Sequence, residues 1–255
     1  MSARTILVTG AASGIGAATA ARLRATGHHV IGADLRRAEI EADLSTPAGR
    51  TALLEQAERL APKGLDGVIA GAGIAKIDDP ALIIAVNYFG AVATLTGLRP
   101  LLARGTKPRA VALISTAALQ SVHTALIEAC LAGDEADAKA KAVALHDDVY
   151  ASSKKALALW LRRAAIAPEW AGAGIILNGV GPGGVKTPMT APLFATEEGR
   201  AIMRQATPIA VADHAQPEDL AELLDFLVNM ETGYVLGQVI FADGGTDAIF
   251  RPKSF

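Results

Sequence analysis

A single α/β domain is the fold the sequence predicts: a doubly wound parallel sheet of about seven strands with helices on both faces. Three observations predict it. Short β-prone apolar runs alternate with helix-prone stretches along the whole chain, with no long linker, internal repeat or low-complexity tract. The first such run ends at a glycine-rich turn that opens a helix. Apolar residues make up 51% of the 255 residues and charged ones 20%, which permits one extensive core and argues against disorder.

Thr5 to Thr9 is the first buried-strand candidate. It runs into Gly10-Ala11-Ala12-Ser13-Gly14-Ile15-Gly16, and helix formers continue from Ala17 to Ala25. Strand, glycine turn and helix together are the context a dinucleotide site requires. Gly10 allows the tight turn, Gly14 and Gly16 let a pyrophosphate and the strand come close, and the free amides at the helix start face phosphate charge. An ordinary βα turn is the plainer reading. The second strand, His29 to Ala33, ends at Asp34. A carboxylate about 20 residues beyond the glycine turn suits a ribose 2′-hydroxyl and repels a 2′-phosphate. With no basic residue in the turn, this points to NAD over NADP. Arg36 is close enough to soften that preference, or is a solvated loop charge.

Glu41-Ala42-Asp43-Leu44 reads as a strand stub, and Ser45-Thr46-Pro47 starts a helix to about Leu60. Leu65 to Ala70 is the fourth strand, with Gly71-Ala72-Gly73 allowing a cofactor sugar to lie against its end. Pro80 to Ala103 reads as one long helix with Asn87 inside it, where a buried Asn pulls on the backbone ladder and holds a water. Ala110 to Ile114 is the fifth strand. Ser115, at its carboxyl end, lies where open α/β sheets bind ligands.

A helix-prone stretch from Leu119 to Asp148 follows, and Gly133 is expected to split it in two. It is either a solvated helical pair, a lid, or a surface that alters subunit contacts. The next helix, to about Ala167, carries Tyr150 and Lys154. Four residues apart, they project from one side of a helix. An ammonium beside a phenol favours phenolate, so the Tyr150 pKa is expected to be lowered towards the range where a general acid or base works. Gly174 to Val180 is the sixth strand. Residues 188–215, opened by Thr187-Pro188-Met189, read as a mobile apolar flap. A helix from Pro217 to Asn229 and a last strand, Gln238 to Phe241, complete the set.

The net charge of −2 leaves no footprint for nucleic acid or anionic lipid. One cysteine, Cys130, cannot form an internal disulfide, which suits a cytoplasmic protein. Its apolar neighbours mark a packed helix position rather than a nucleophile. The five histidines show no metal-ligand spacing, so no metal is expected. No run is expected to reach the roughly 18 apolar residues of a membrane span. The start of the chain runs straight into Thr5 to Thr9, too short a stretch for a signal-peptide core with a cleavage site, so no signal peptide is expected.

Taken together, Thr9 to Gly16, Asp34, Asp43, Ala72-Gly73, Asn87, Ser115, Tyr150 with Lys154, and Pro182-Gly183 with Thr187 resemble the short-chain dehydrogenase/reductases, a Rossmann-type family, over essentially the whole chain. Within it the chain is similar to the bacterial 3α-hydroxysteroid dehydrogenase/carbonyl reductases. Ala42 to Ser45, Val86 to Gly90, Asp243 to Ala248 with Arg251-Pro252 and Phe255, and the 34 residues between Ser115 and Tyr150 carry that likeness. The resemblance implies Tyr150 as acid/base, Ser115 orienting the substrate oxygen, Lys154 on the nicotinamide ribose while lowering the Tyr150 pKa, and Asn87 holding a relay water. It implies cofactor contacts from Gly10, Ser13, Gly14, Ile15, Gly16, Asp34, Asp43, Leu44, Gly71 and Thr187. It further implies a homodimer, because the subgroup's extra helical piece obstructs the usual tetramer face. One departure stands out: the family's Asn-Asn-Ala-Gly is Ala70-Gly71-Ala72-Gly73 here, so the side-chain bonds of that Asn pair are missing.

The expected activity is NAD-dependent oxidation of a secondary alcohol or reduction of its ketone, on a 3α-hydroxysteroid or another bulky apolar compound. A 3-oxoacyl thioester reductase is the alternative enzyme. It would want basic residues at the mouth, where the flap offers Lys186, Arg200 and Arg204. A catalytically silent NAD-binding sensor is the alternative from another class.

Overall fold

The computed structural model describes residues 3–75 and 78–254. Phe255 of the tail motif lies outside them. Seven strands form one sheet: β1 (Thr5–Thr9), β2 (His29–Asp34), β3 (Ile40–Glu41), β4 (Gly67–Ala70), β5 (Arg109–Leu113), β6 (Ile176–Pro182) and β7 (Val239–Ala242). Their order is β3-β2-β1-β4-β5-β6-β7, and every pairing is parallel. The winding reverses between β1 and β4, which opens a crevice at the strands' carboxyl ends. Register makes that edge flush: Thr9 sits opposite Ala33 on one side and Ala70 on the other. The next residues, Gly10, Asp34 and Gly71, therefore stand in one row at the crevice.

The helices are α1 (Gly14–Ala25), α2 (Pro47–Leu60), α3 (Pro80–Ile84), α4 (Ala91–Gly97), α5 (Arg99–Leu102), α6 (Thr124–Ala132), α7 (Glu135–Leu145), α8 (Val149–Ala165), α9 (Ala191–Ala195), α10 (Glu197–Ala206), α11 (Pro217–Asn229) and α12 (Thr246–Phe250). Strand alternation divides the core between the two faces of the sheet. Leu7, Val68, Ala110 and Leu177 pack with Leu53, Leu95, Leu157 and Leu161 from α2, α4 and α8. Ile6, Val8, Ile69 and Val180 pack with Leu23 of α1 and Leu220, Leu224 and Leu227 of α11.

The long helix expected from Pro80 to Ala103 is broken into pieces. A π-helical turn, Ala85–Gly90, joins α3 to α4, and the helix pauses at Leu98, just before Pro100, whose ring nitrogen has no proton to donate. The expectation that no apolar run reaches membrane-spanning length is also corrected. Pro80–Leu102 is 23 residues with a mean hydropathy of 1.8 in its most apolar window. That window is 61% buried within the fold, and Leu95, Leu98, Leu101 and Leu102 sit in the core.

Gly133 does split the 119–148 segment: it ends α6 in the left-handed conformation, φ 79°. Asp134 then caps α7 by accepting from the Asp137 amide at 3.0 Å. The stretch expected as a flap holds two short helices, α9 and α10. Thr196 caps α10, and Glu197 pairs with both Arg200 and Arg204. Gln120 Nε2 donates to the Ala206 carbonyl at 2.7 Å, and Thr246 Oγ1 to the Pro208 carbonyl at 2.8 Å, tying the flap to the body.

Candidate active site

A cleft of about 500 Å³ lies along the carboxyl edge of the sheet. At one end the glycine turn leads into α1. A Cβ on Gly16 would fall 2.1 Å from the Gly10 carbonyl oxygen, so no side chain fits where helix and strand pack here. Ser13 makes no side-chain capping bond, which leaves the first amides of α1 free at the cleft. By contrast α2, α3, α7 and α10 each start with a side-chain cap. A glycine cradle under uncapped helix amides fits a pyrophosphate. Asp34 faces the same space. Its carboxylate is pinned by the amides of Ala12 at 2.9 Å and Leu35 at 2.7 Å. Asp43 and Leu44 line the wall beyond it; Asp43 Oδ1 accepts from the Ser45 amide at 2.9 Å and from its hydroxyl at 2.6 Å.

Gly71 and Gly73 form the floor at the end of β4. The bonds lost with the missing Asn pair have a partial substitute that sequence reasoning did not find. Thr9 Oγ1 accepts from the Gly71 and Ala72 amides at 3.1 and 3.2 Å, stitching β1 to the loop after β4.

At the other end, α8 presents Tyr150 and Lys154 while Ser115 closes β5. Lys154 is 4% exposed, and its Nζ donates to the Leu113 carbonyl at 2.9 Å. Burial lowers its pKa to about 8. The expected lowering of the Tyr150 pKa is not found. Burial moves the phenol upward, and a side-chain bond with Ser115 pulls it back only in part. The ammonium lies 5.9 Å from the centre of the Tyr150 ring and spends its bond on a backbone carbonyl, so in the chain alone desolvation prevails.

Asn87 is fully buried in the π-helical turn. Its Oδ1 accepts from the Ile74 amide at 2.8 Å and its Nδ2 donates to the Ile74 carbonyl at 2.9 Å. Nδ2 also reaches Ser153 Oγ at 3.3 Å, which donates to the Tyr150 carbonyl at 2.7 Å. Ser153 thus joins Asn87 to the Tyr150 helix, a contact that no spacing rule reveals. A side chain on Gly73 would begin 3.3 Å from Asn87 Oδ1 and 3.4 Å from Lys154 Nζ, so both groups face one small space. Thr187 stands opposite Gly14 and lines the cleft with Pro188, Met189 and Thr190. Asn87 lies just behind the lining, and Val86 beside it is exposed to the cleft. All the other candidate residues, Ser13 and Ile15 included, line it directly.

Cys130 is buried in α6 and its thiol is pushed up to about 12 by desolvation, the setting of a packing residue. Among the described residues no cluster of His, Cys, Asp and Glu has the arrangement of a metal site. Arg36 is exposed and not part of the cleft lining.

A parallel sheet whose winding reverses over a glycine cradle defines a dinucleotide-binding α/β protein as the class. Comparison with known proteins narrows it. The short chain dehydrogenase family model matches residues 4–127, and the Enoyl-(Acyl carrier protein) reductase model matches residues 136–247. The chain belongs to the short-chain dehydrogenase/reductase family. It is 37% identical over 263 residues to the 3-alpha-hydroxysteroid dehydrogenase/carbonyl reductase of Comamonas testosteroni, covering 98% of this chain and 99% of that protein. It is 31% identical to the cis-4-hydroxycyclohexanecarboxylate dehydrogenase of Sinomonas cyclohexanicum, over 96% and 97% of the two chains. Its fold superposes with a TM-score of 0.91 on the crystal structure of the 3-alpha-hydroxysteroid dehydrogenase from Pseudomonas sp. B-0831 complexed with NADH, at 40% identity over 98% and 100% of the chains.

Proposed function

We propose that this oxidoreductase exchanges hydride between NAD(H) and a secondary alcohol or its ketone, on 3α-hydroxysteroids or other bulky apolar alcohols. One observation carries the reading: Tyr150, Ser115 and Lys154 converge at one end of a cleft whose other end is a glycine cradle beside Asp34. The names of the two relatives and the apolar wall of Ile114, Pro188 and Met189 support the substrate class.

The bound cofactor supplies or takes the hydride. In this reading Gly10, Ser13, Gly14, Ile15 and Gly16 hold its pyrophosphate. Asp34 takes the 2′-hydroxyl, Asp43 and Leu44 the adenine, Gly71 the adjoining sugar, Lys154 the nicotinamide ribose and Thr187 the carboxamide. Asp34 is the ground for NAD over NADP. Tyr150 gives its proton to the carbonyl oxygen in reduction and recovers it in oxidation. A phenol shifted up by burial is still far more acidic than an aliphatic alcohol, so it remains a competent donor. Ser115 holds the same oxygen, and a water on Asn87 links the site to solvent. Below its pKa of about 8, Lys154 supplies positive charge where substrate oxygen becomes negative. A thioester carrier has less support, because Lys186, Arg200 and Arg204 are already paired with Asp213 and Glu197. The chain acts as one domain with a helical insertion at 119–148 and a substrate flap at 188–215, and assembles as a homodimer.

The test is turnover of wild type and Tyr150→Phe with NADH and NADPH against hydroxysteroids, aromatic ketones and 3-oxoacyl thioesters. Wild type is expected to reduce a bulky ketone and to favour NADH. Tyr150→Phe should still bind NADH but lose roughly 10²- to 10⁴-fold in kcat. Undiminished turnover would remove Tyr150 from the chemistry, and a preference for NADPH would remove Asp34 from cofactor choice.

A further inference from the structure

Arg50, in the first turn of α2, has a side chain only 11% exposed, and its guanidinium reaches three separate parts of the molecule. Nε donates to the Leu44 carbonyl at 2.8 Å. Nη2 donates to the Ala85 carbonyl at 3.0 Å. Nη1 and Nη2 also meet the two carboxylate oxygens of Glu135 at 2.6 and 2.9 Å, a two-pronged pairing that fixes both planes. Leu44 is part of the cleft wall, and Ala85 directly precedes Val86, which also lines it. Glu135 is the first residue of α7, inside the 34-residue stretch between Ser115 and Tyr150. One largely buried fork therefore ties that insertion to two walls of the cleft, far along the chain from either.

We propose that Arg50 and Glu135 are a positioning pair that sets the adenosine end of the cofactor cleft, so that the helical insertion serves nucleotide binding. This rests on the NAD reading above. Loss of the Glu135 charge leaves a guanidinium desolvated and half-partnered. It must turn away to find water or another acceptor, and the Leu44 and Ala85 carbonyls then lose their donor. The Asp43–Ser45 loop, which carries the adenosine-end residues Asp43 and Leu44, then relaxes together with the Val86 wall. At the reacting end Ser115, Tyr150 and Lys154 stand at the end of β5 and on α8, and Asn87 is held by its own bonds to Ile74 and Ser153. A clamp with a purely structural role would lower stability and weaken every ligand together.

Full-length wild type and Glu135→Gln are compared for dissociation constants of NADH, ADP-ribose and reduced nicotinamide mononucleotide, and for kcat at saturating NADH. NADH and ADP-ribose are expected to weaken about tenfold, with the mononucleotide and kcat within about twofold of wild type. Equal weakening of all three ligands, or weakening of none, overturns the proposal. Lys139→Ala removes only the outer partner of Glu135 and is expected to leave NADH binding unchanged; a loss equal to that of Glu135→Gln overturns the proposal too. If Glu135→Gln does not fold, Arg50→Lys, which keeps the charge but not the fork, carries the same expected and contrary results. A wild type that binds none of the three ligands refutes the cofactor reading itself. Normal wild-type binding with an unaltered variant refutes only the pair.

Discussion

Lys154 shows what the site costs the fold. Its folded pKa is about 8, against 10.5 for an exposed lysine. Between those values the unfolded chain holds a proton that the folded chain has released, so stability rises with pH across the window. Below pH 8 the buried charge costs on the order of 3 kcal/mol, and above 10.5 it costs nothing. In the cofactor-free chain, Lys154→Met is therefore expected to raise unfolding stability at pH 7 by about 1–3 kcal/mol, less whatever the orphaned Leu113 carbonyl costs, while abolishing turnover. The gain should fade by about pH 10.5. Denaturant unfolding at pH 7 and pH 10 measures it, and a gain independent of pH would contradict the assigned cause. At this scale the sequence was informative about partners and silent about solvation. The four-residue spacing puts Tyr150 and Lys154 on one side of a helix, and β5 carries Ser115 to them. The pKa direction of Tyr150 came out reversed because it depends on how much protein surrounds the phenol, which spacing does not encode.

Among the elements, β1 with the glycine turn and α1 was legible almost residue for residue, because its constraint is local. Gly16 has no room for a side chain against Gly10, and the register of β1 places the turn at the crevice. Gly16→Ala is expected to push α1 off the strand, destabilising the chain by about 1–3 kcal/mol and weakening NADH binding at least tenfold. Calorimetric unfolding together with NADH titration checks it; wild-type values for both would mean that the helix accommodates the methyl freely. The Pro80–Leu102 run was less legible. Its composition is mainly helical and apolar, and the one local mark, Asn87, signals a disturbed ladder without specifying a π turn. That turn follows from a tertiary demand, the pairing of the buried Asn87 amide with both backbone groups of Ile74. The insertion was legible only as two helices split at Gly133. Its tie to the cleft depends on Arg50, 85 residues away in sequence from Glu135.

Across the whole molecule, the sheet has two ends of different character. The β3 end is two residues long. The β7 end is an edge of four apolar residues, Val239 to Ala242, each partly exposed, and Phe226 of α11 is 63% exposed. An edge of this kind is a site for pairing with another chain unless something covers it. On the flank of the sheet that carries α8, the insertion packs its own helices: α6 against α8 and α7 against α3. Apolar surface is thus covered from within on the α8 flank, while among the described residues no further strand pairs with β7, which favours a single two-fold contact over the two different contacts a tetramer with dihedral symmetry needs. The expected mass in solution is twice the 26.2 kDa of the chain, measured by light scattering across a hundredfold range of concentration. A stable tetramer would show that α6 and α7 do not block that flank, and a monomer at high concentration would show that the β7 edge stays unpaired.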